Sequence, residues 1–275
     1  MSFSTPMGLG RPSLLIVVPT LNSHALLPRL LDSLQQQSWP HWELLFIDGP
    51  SGAEHRQWLI QCCAGDPRCR WTEQSPAEPG IFGAMNQGFA EASPDDWLLF
   101  WGSDDWAAAP TVLVRVAAAL EEARSQGTTP DLLVCRGRYA DAVSAELARP
   151  AAFQPVGRLN AAAYRRALLL GSTPPHQATL FGPGALHRLA RYAHGFRLSA
   201  DLDYFLQLSR STDLVVQCLD LELVHMAAGG ISGQQTQRRL QEVRRAYRRA
   251  FGWRWWFPFG LRYLRRVMSW LERNG

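Results

Sequence analysis

Trp97-Leu98-Leu99-Phe100-Trp101-Gly102-Ser103-Asp104-Asp105-Trp106 is a five-residue apolar run that ends abruptly in two adjacent carboxylates. An apolar run this short, bounded by turn formers, reads as a buried strand of an α/β sheet and not as a helix. Ligands of open α/β sheets bind beyond the carboxyl ends of the strands, so Asp104 and Asp105 fall where a hard, oxygen-liganded cation holding a phosphate would sit. Taken alone, the same residues also read as a solvated acidic turn. The flanking sequence has to decide between the two.

Upstream, Leu14-Leu15-Ile16-Val17-Val18 is a β-branched run stopped by Pro19, the pattern of a strand buried on both faces. Leu26, Leu27, Leu30, Leu31 and Leu34 recur at helical spacing, with Asn22 or Ser23 as the cap and an end near Ser38. The alternation continues with Trp42 to Ile47, Arg70 to Thr72 and Asp96 to Trp101 extended, and Ala53 to Cys63 and Ile81 to Glu91 helical. Thr111 to Arg124 follows as a helix and Asp131 to Cys135 as a strand. This order predicts an α/β fold built on a doubly wound, mostly parallel sheet with flanking helices. Beyond it, Leu159 to Leu170, Pro183 to Arg191 and Ala200 to Ser209 read as helices. Gln177 to Phe181, Leu214 to Cys218 and Leu221 to His225 read as extended, and Ala227-Ala228-Gly229-Gly230 is a breaker.

The 275 residues, 47% of them hydrophobic, can bury a large core. All 28 basic residues are arginine, which removes lysine-based Schiff-base and P-loop chemistry and leaves guanidinium groups, suited to phosphate and carboxylate. From Gln234 onward there are eleven arginines against Glu242 and Glu272, a net +9, so the first 233 residues carry −5. A mildly acidic body with a basic tail does not point to nucleic acid. The five cysteines have no zinc-ligand spacing and suit a reduced interior. No secretory leader pattern and no run long enough to span a bilayer are present.

Four loops fall at the ends of predicted strands. Pro19-Thr20-Leu21-Asn22 offers small polar groups and backbone amides to a planar ligand, or is an ordinary turn. Asp48, before Gly49-Pro50-Ser51-Gly52, can accept from a base N–H or a ribose hydroxyl, or cap the next helix. In Gly80-Ile81-Phe82-Gly83-Ala84-Met85-Asn86-Gln87-Gly88, glycines inside a helical pattern imply close approach of another backbone or of a ligand. Asp104-Asp105 is the fourth.

Together these segments resemble the family 2 glycosyltransferases, inverting enzymes with a GT-A fold. The resemblance is carried by Pro19-Thr20-Leu21-Asn22, Gln36-Gln37-Ser38-Trp39, Asp48-Gly49 with Ser51, Gly80 to Gly88, and Ser103-Asp104-Asp105-Trp106. It continues with Pro175-His176-Gln177-Ala178-Thr179, Ala200-Asp201-Leu202-Asp203 and Gly229-Gly230-Ile231-Ser232. It implies a GT-A domain over 14–233, with a nucleotide-binding half at 14–136 and an acceptor half at 137–233, after a loose start over 1–13. It also implies transfer of a sugar from a nucleotide-sugar donor, a UDP-sugar, to a saccharide or lipid-linked acceptor in surface polysaccharide synthesis. Pro19, Thr20, Asn22, Asp48, Asn86, Ser103 and Asp104 would bind the nucleotide sugar. Asp104 with Asp105 would hold Mg²⁺ or Mn²⁺, and Asp201 would be the base. Residues i and i+2 of a helix do not share a face, so Asp203 is left as a cap, ion-pair partner or support. His176, Gln177 and His225 are candidates for contact with acceptor or phosphate, or are structural. Gly83 and Pro79 stand where the family has an acid and a base, and Gly102 where it has a polar residue. The departures bear on donor choice; Gly83 and Pro79 favour, and the intact Asp104, Asp105 and Asp201 oppose, the alternative, a catalytically silent protein that binds a nucleotide sugar or a membrane surface.

Residues 234–275 interleave arginines with Trp253, Trp255, Trp256, Phe257 and Trp270. This is the composition of an interfacial helix on anionic headgroups, which places the protein in the cytoplasm, peripheral at the inner face of the cell membrane. Packing of the same helices on the body is the other reading.

Overall fold

The structure is a computed structural model and describes residues 13–141, 146–151, 153, 155–227 and 236–264. Its first half alternates as the periodicity predicts. β1 (Ser13–Thr20), α1 (Leu27–Gln35), β2 (Trp42–Asp48), α2 (Ala53–Gly65), β3 (Cys69–Glu73), α3 (Ile81–Glu91) and β4 (Asp96–Phe100) follow in order. The two-residue β5 (Trp106–Ala107), α4 (Val112–Ser125) and β6 (Leu132–Ala140) complete it. The second half contains β7 (Leu147–Pro150), β8 (Gly157–Asn160), α5 (Ala161–Leu169), β9 (Thr179–Phe181) and α6 (Pro183–Arg188). α7 (Ala200–Leu208), β10 (Val215–Ala227) and α8 (Thr236–Phe251) close it, α8 running into a short 3₁₀ turn at Gly252–Trp255.

The strands of the described residues form one ten-stranded sheet of order β3-β2-β1-β4-β9-β6-β10-β5, with β7 pairing β6 and β8 pairing β10. β1 to β4 are parallel, and β9 runs antiparallel to both neighbours. Alternate side chains of the central strands enter opposite layers, as the pleat requires. Leu15, Val17, Leu98 and Phe100 pack on one side with residues of α3, α5, α7 and α8. Leu14, Ile16, Val18, Leu99 and Trp101 pack on the other with α1 and α4. Burial on both faces is why these strands read as unbroken apolar runs.

Several boundaries differ from expectation. α1 starts at Leu27, with Pro28 in its first turn and no side-chain cap, because Ser23 accepts the Leu26 and Leu27 N–H groups through its carbonyl. The two strands expected at 214–218 and 221–225 are one strand, β10, which passes Leu219–Leu221 through register shifts. Within 177–181 the chain makes a 3₁₀ turn over His176–Ala178 before β9. The segments 1–12, 228–235 and 265–275, with the expected Gly229-Gly230-Ile231-Ser232 motif and Trp270, lie outside the described residues.

α8 packs on the body. Val243, Ala246, Tyr247 and Ala250 join the same core cluster as α7, and the arginines fall on the opposite, exposed face. Glu242 is buried and accepts the N–H groups of Arg197, Leu198 and Ser199 at 3.0, 2.8 and 3.0 Å, just ahead of α7. Arg249 pairs with the buried Asp203. The first helix of the basic segment is thus docked at two polar points over an apolar strip.

Candidate active site

The carboxyl ends of β1, β2, β4, β6 and β10 share one edge of the sheet, because the antiparallel β9 returns β6 and β10 to the direction of β4. Thr20 closes β1 opposite Asp48 at the end of β2, and its hydroxyl donates to Asp48 Oδ1 at 3.0 Å. Ser51 donates to the same oxygen at 2.7 Å, and His55 Nε2 lies 3.0 Å from it. Burial holds the His55 pKa down, against the pull of the Asp48 charge. Asp48 Oδ2 is buried without a hydrogen-bond partner among the described residues, the Arg56 Nε standing 4.0 Å away. An acceptor left in this state costs about 1–3 kcal/mol, more when charged, which a ligand N–H would relieve.

Asn22 adopts φ 50°, in the left-handed region that asparagine tolerates. Its Oδ1 accepts the Gly52 N–H at 2.8 Å and its N–H donates to Ser51 Oγ at 2.9 Å, so it clips the β1 loop to the β2 loop. Ser103 donates to the Pro19 carbonyl at 3.1 Å and accepts from Ser23 Oγ at 2.9 Å. Thr20, Asp48, Ser51 and Asn22 are therefore one hydrogen-bonded group, and Ser103 is bonded to Pro19, the residue before Thr20.

The two carboxylates beyond β4 separate in role. Asp105 is buried and closes a turn, accepting the Gly102 N–H through Oδ2 at 2.6 Å. Burial, and then the Asp104 charge, push its carboxyl up to about 8. Asp104 is the partly exposed member, raised mainly by burial. Of the pair expected to hold metal, Asp104 is the one presented at the edge and Asp105 supports it from behind. Among the described residues no group of three or more His, Cys, Asp or Glu side chains could hold an ion by itself. Gly102 has a local reason, since a Cβ there would stand 2.8 Å from Asp104 Oδ1.

Asn86 is turned to another task. Its Oδ1 accepts the Tyr192 N–H at 2.7 Å, and its Nδ2 donates to the Tyr192 carbonyl at 3.3 Å and to Glu78 at 2.9 Å. The amide ties α3 to the 189–198 segment. The close approach implied by the α3 glycines is also internal. A Cβ on Gly83 would sit 1.8 Å from the Glu78 carbonyl oxygen, and one on Gly88 2.7 Å from Val17 Cγ1. The missing acid at position 83 thus has a packing cause.

His176 is buried, its ring stacked on Phe100 at 5.6 Å and its Nε2 bonded to the Tyr192 hydroxyl at 2.6 Å. Burial pulls its pKa down to about 4. It is a neutral core histidine, not a surface that meets phosphate. Gln177 contributes its carbonyl to Trp101 Nε1 at 2.9 Å. His225 sits beside Trp106 across the β10–β5 pair, its Nε2 2.9 Å from Glu222 Oε1.

Asp201 lies in the first turn of α7, where a carboxylate suits the helix dipole. It is partly exposed, and burial of the rest of the group raises its pKa. The neighbouring Leu202 N–H and the Arg262 guanidinium oppose that rise. Phe100, His176 and Tyr192 pack on one another, and Tyr192 in turn packs on Tyr204 of α7; burial, and to a lesser extent the Tyr204 and Asp201 charges, push the Tyr192 hydroxyl up. Asp203, buried and paired with Arg249, takes the ion-pair role.

His55, Tyr192, Glu242, Arg249 and Arg262 had no motif to announce them. Arg262 donates to Thr173 Oγ1 at 2.7 Å, and Gly171 (φ 83°) lets its backbone approach so closely that a Cβ would meet Arg262 Cα at 2.9 Å.

The glycosyl transferase family 2 model matches residues 15–166. A PGL/p-HBAD biosynthesis glycosyltransferase of Mycobacterium tuberculosis is 28% identical over 225 residues, 82% of this chain and 80% of that protein. An uncharacterized glycosyltransferase of the same species is 27% identical over 201 residues, 71% of this chain and 68% of that protein. Among solved structures, S. aureus TarS 1-349 superposes with a TM-score of 0.65 at 15% identity, over 86% of this chain but only 64% of that chain. The Pyrobaculum calidifontis mannosyltransferase PcManGT, bound to GDP-Man and Mn²⁺, superposes with a TM-score of 0.59 at 15% identity, over 90% of this chain and 66% of that one.

Proposed function

This chain belongs to glycosyl transferase family 2, and from that premise we propose that it moves a sugar, with inversion, from a UDP-sugar to a saccharide or lipid-linked hydroxyl. The observation that carries the donor assignment is the buried Asp48 Oδ2 beside Thr20, an acceptor with no hydrogen-bond partner among the described residues, suited to the N–H of a planar base. TarS has been solved with UDP-GlcNAc on the same fold, which supports a uridine nucleotide here.

The chemistry of Asp104 fits a divalent cation. Mg²⁺ and Mn²⁺ accept one or two protein carboxylates and complete their shell with phosphate oxygens and water. Asp104, with Asp105 behind it, would hold the ion, which would neutralise charge on the leaving diphosphate. Asp201 takes the proton from the acceptor hydroxyl, and its raised pKa makes it a stronger base for that step. Attack then comes from the face opposite the diphosphate.

No helix among the described residues is long and apolar enough to cross a membrane. Trp253, Trp256, Phe257 and Leu264 stand exposed beside the arginines of α8, which supports peripheral attachment to an anionic membrane where surface polysaccharide acceptors are assembled.

Titration with UDP-, GDP- and dTDP-sugars, with and without Mn²⁺, tests the reading. UDP-sugar binding that strengthens with Mn²⁺ and loses that dependence in Asp104→Ala is the expected result. Equal indifference to all three nucleotides would overturn the donor assignment.

A further inference from the structure

We infer that the outer face of α8 is a binding groove for the phosphate groups of anionic phospholipids. The inference deepens the membrane part of the proposed function and rests on it.

Arg244, Arg245, Arg248 and Arg249, with Gln241, line a groove of about 500 Å³. Positions 241, 244, 245 and 248 recur at the spacing of one helix face, opposite the buried Val243, Ala246, Tyr247 and Ala250. The four guanidiniums are held differently. Arg245 donates to the carbonyls of His194 and Gly195, and Arg249 meets Asp203. Both also lie over the Phe196 ring. Arg244 lies over Trp255 at 4.8 Å and pairs with no carboxylate among the described residues. Arg248 has no polar partner among them. One carboxylate, Asp203, therefore faces four cations, and three positive charges around the groove lack a counter-charge. Guanidinium forks match phosphate oxygens in two-point geometry.

What lies next to the groove selects the source of the phosphate. The chain leaves α8 directly into Gly252–Trp255, and Trp253 and Trp256 are 75% and 59% exposed. Exposed tryptophans beside arginines suit the boundary between headgroups and water. A free anion would have no use for them. Arg245 and Arg249 dock the helix, which leaves Arg244 and Arg248 as the pair available to headgroups.

The test is co-sedimentation of the full chain with phosphatidylglycerol or phosphatidylcholine vesicles, with UDP-sugar binding followed on the same samples. In Arg244→Ala/Arg248→Ala, partition onto phosphatidylglycerol should fall roughly 30-fold, the equivalent of about 1 kcal/mol for each arginine. Donor binding should stay unchanged, since neither residue belongs to the site or the docking contacts. In Trp253→Ala/Trp256→Ala, partition onto both vesicle types should fall together. Wild-type partition retained in the arginine double variant overturns the groove. Wild-type protein that sediments with neither vesicle overturns the groove and the membrane reading together, while the donor titration stands apart from both. Inorganic phosphate should displace the protein no more than sodium chloride of equal ionic strength. Displacement beyond that assigns the groove to a free anion and overturns the headgroup assignment.

Discussion

Two aspartates separated by one residue have opposite fates. Asp201 opens partly to solvent at the start of α7, and Asp203 is buried against Arg249. Asp201→Asn keeps the shape and removes the proposed base, so turnover should drop about 10²–10⁴-fold while UDP-sugar affinity holds within roughly a factor of two. Single-turnover assay with donor titration checks both numbers. Asp203→Asn should do the reverse, lowering the denaturation midpoint and leaving the chemical step largely intact. His176 makes a separate prediction about acid. Its folded pKa of about 4 lies below the ordinary 6.5, so between those values the unfolded chain binds the extra proton and the folded one does not. Stability therefore is intact above pH 6.5 and declines as pH falls towards 4, by about 3 kcal/mol at the bottom of that window. Urea denaturation at pH 7 and pH 4.5 should show the loss in the native protein and a flatter dependence in His176→Gln. Identical slopes in the two would exclude the ring as its source.

The junction of α7 and α8 is where polar groups do what periodicity hides. Glu242 accepts three backbone N–H groups ahead of the helix that carries Asp201. Glu242→Ala would leave three N–H donors without their acceptor, that of Ser199 buried, at about 1–3 kcal/mol for a buried donor and less for the more exposed ones, so a loss of roughly 2–3 kcal/mol in urea denaturation is expected, with a parallel fall in kcat. An unchanged kcat in a folded Glu242→Ala would show that α7 is positioned without α8. The strands β1, β2 and β4 were legible because helices cover both faces, and the long apolar runs had no other explanation. β9 has three residues and β5 two, too few for any period, and β8 is polar at alternate positions. β10 read as two strands because Leu219–Leu221 break the alternation, which the fold absorbs in bulges. The grouping of Pro19, Thr20, Asn22, Asp48 and Ser103 was legible because they end β1 and β2 or fall in the loops just beyond β1 and β4. The bonds of Asn86 and His176 to Tyr192 could not be read from the sequence, because Tyr192 lies 106 and 16 residues away in a segment without pattern. An arginine stripe looks solvated from composition, and nothing in it announces that Glu242 and Asp203 anchor its other side.

The catalytic body and the basic segment share one core, so the arginine-rich C-terminal segment is a structural part of the transferase as well as a charged surface. Val243, Ala246, Tyr247 and Ala250 pack in the cluster that also contains Ala200, Leu202 and Phe205 of α7. Tyr247 is fully buried, as is Ala246, and removing an aromatic of this size from a core costs about 3–5 kcal/mol, a large share of the roughly 5–15 kcal/mol that holds an ordinary domain folded. A chain ended at residue 233 would expose that cluster, free the N–H groups that Glu242 accepts and strip Asp203 of Arg249. It should therefore melt well below the full chain and lose transfer to a soluble acceptor as completely as to one in a membrane. A device used only for attachment would behave otherwise, with soluble transfer surviving its removal. Differential scanning calorimetry and transfer to a detergent-free saccharide acceptor, on the truncated chain beside Arg244→Ala/Arg248→Ala, separate the two contributions. Truncation should abolish both stability and soluble transfer, whereas the surface double variant should retain them. A truncated chain that melts with the full one and still transfers would show that the apolar strip of α8 adds nothing to the core it lies on.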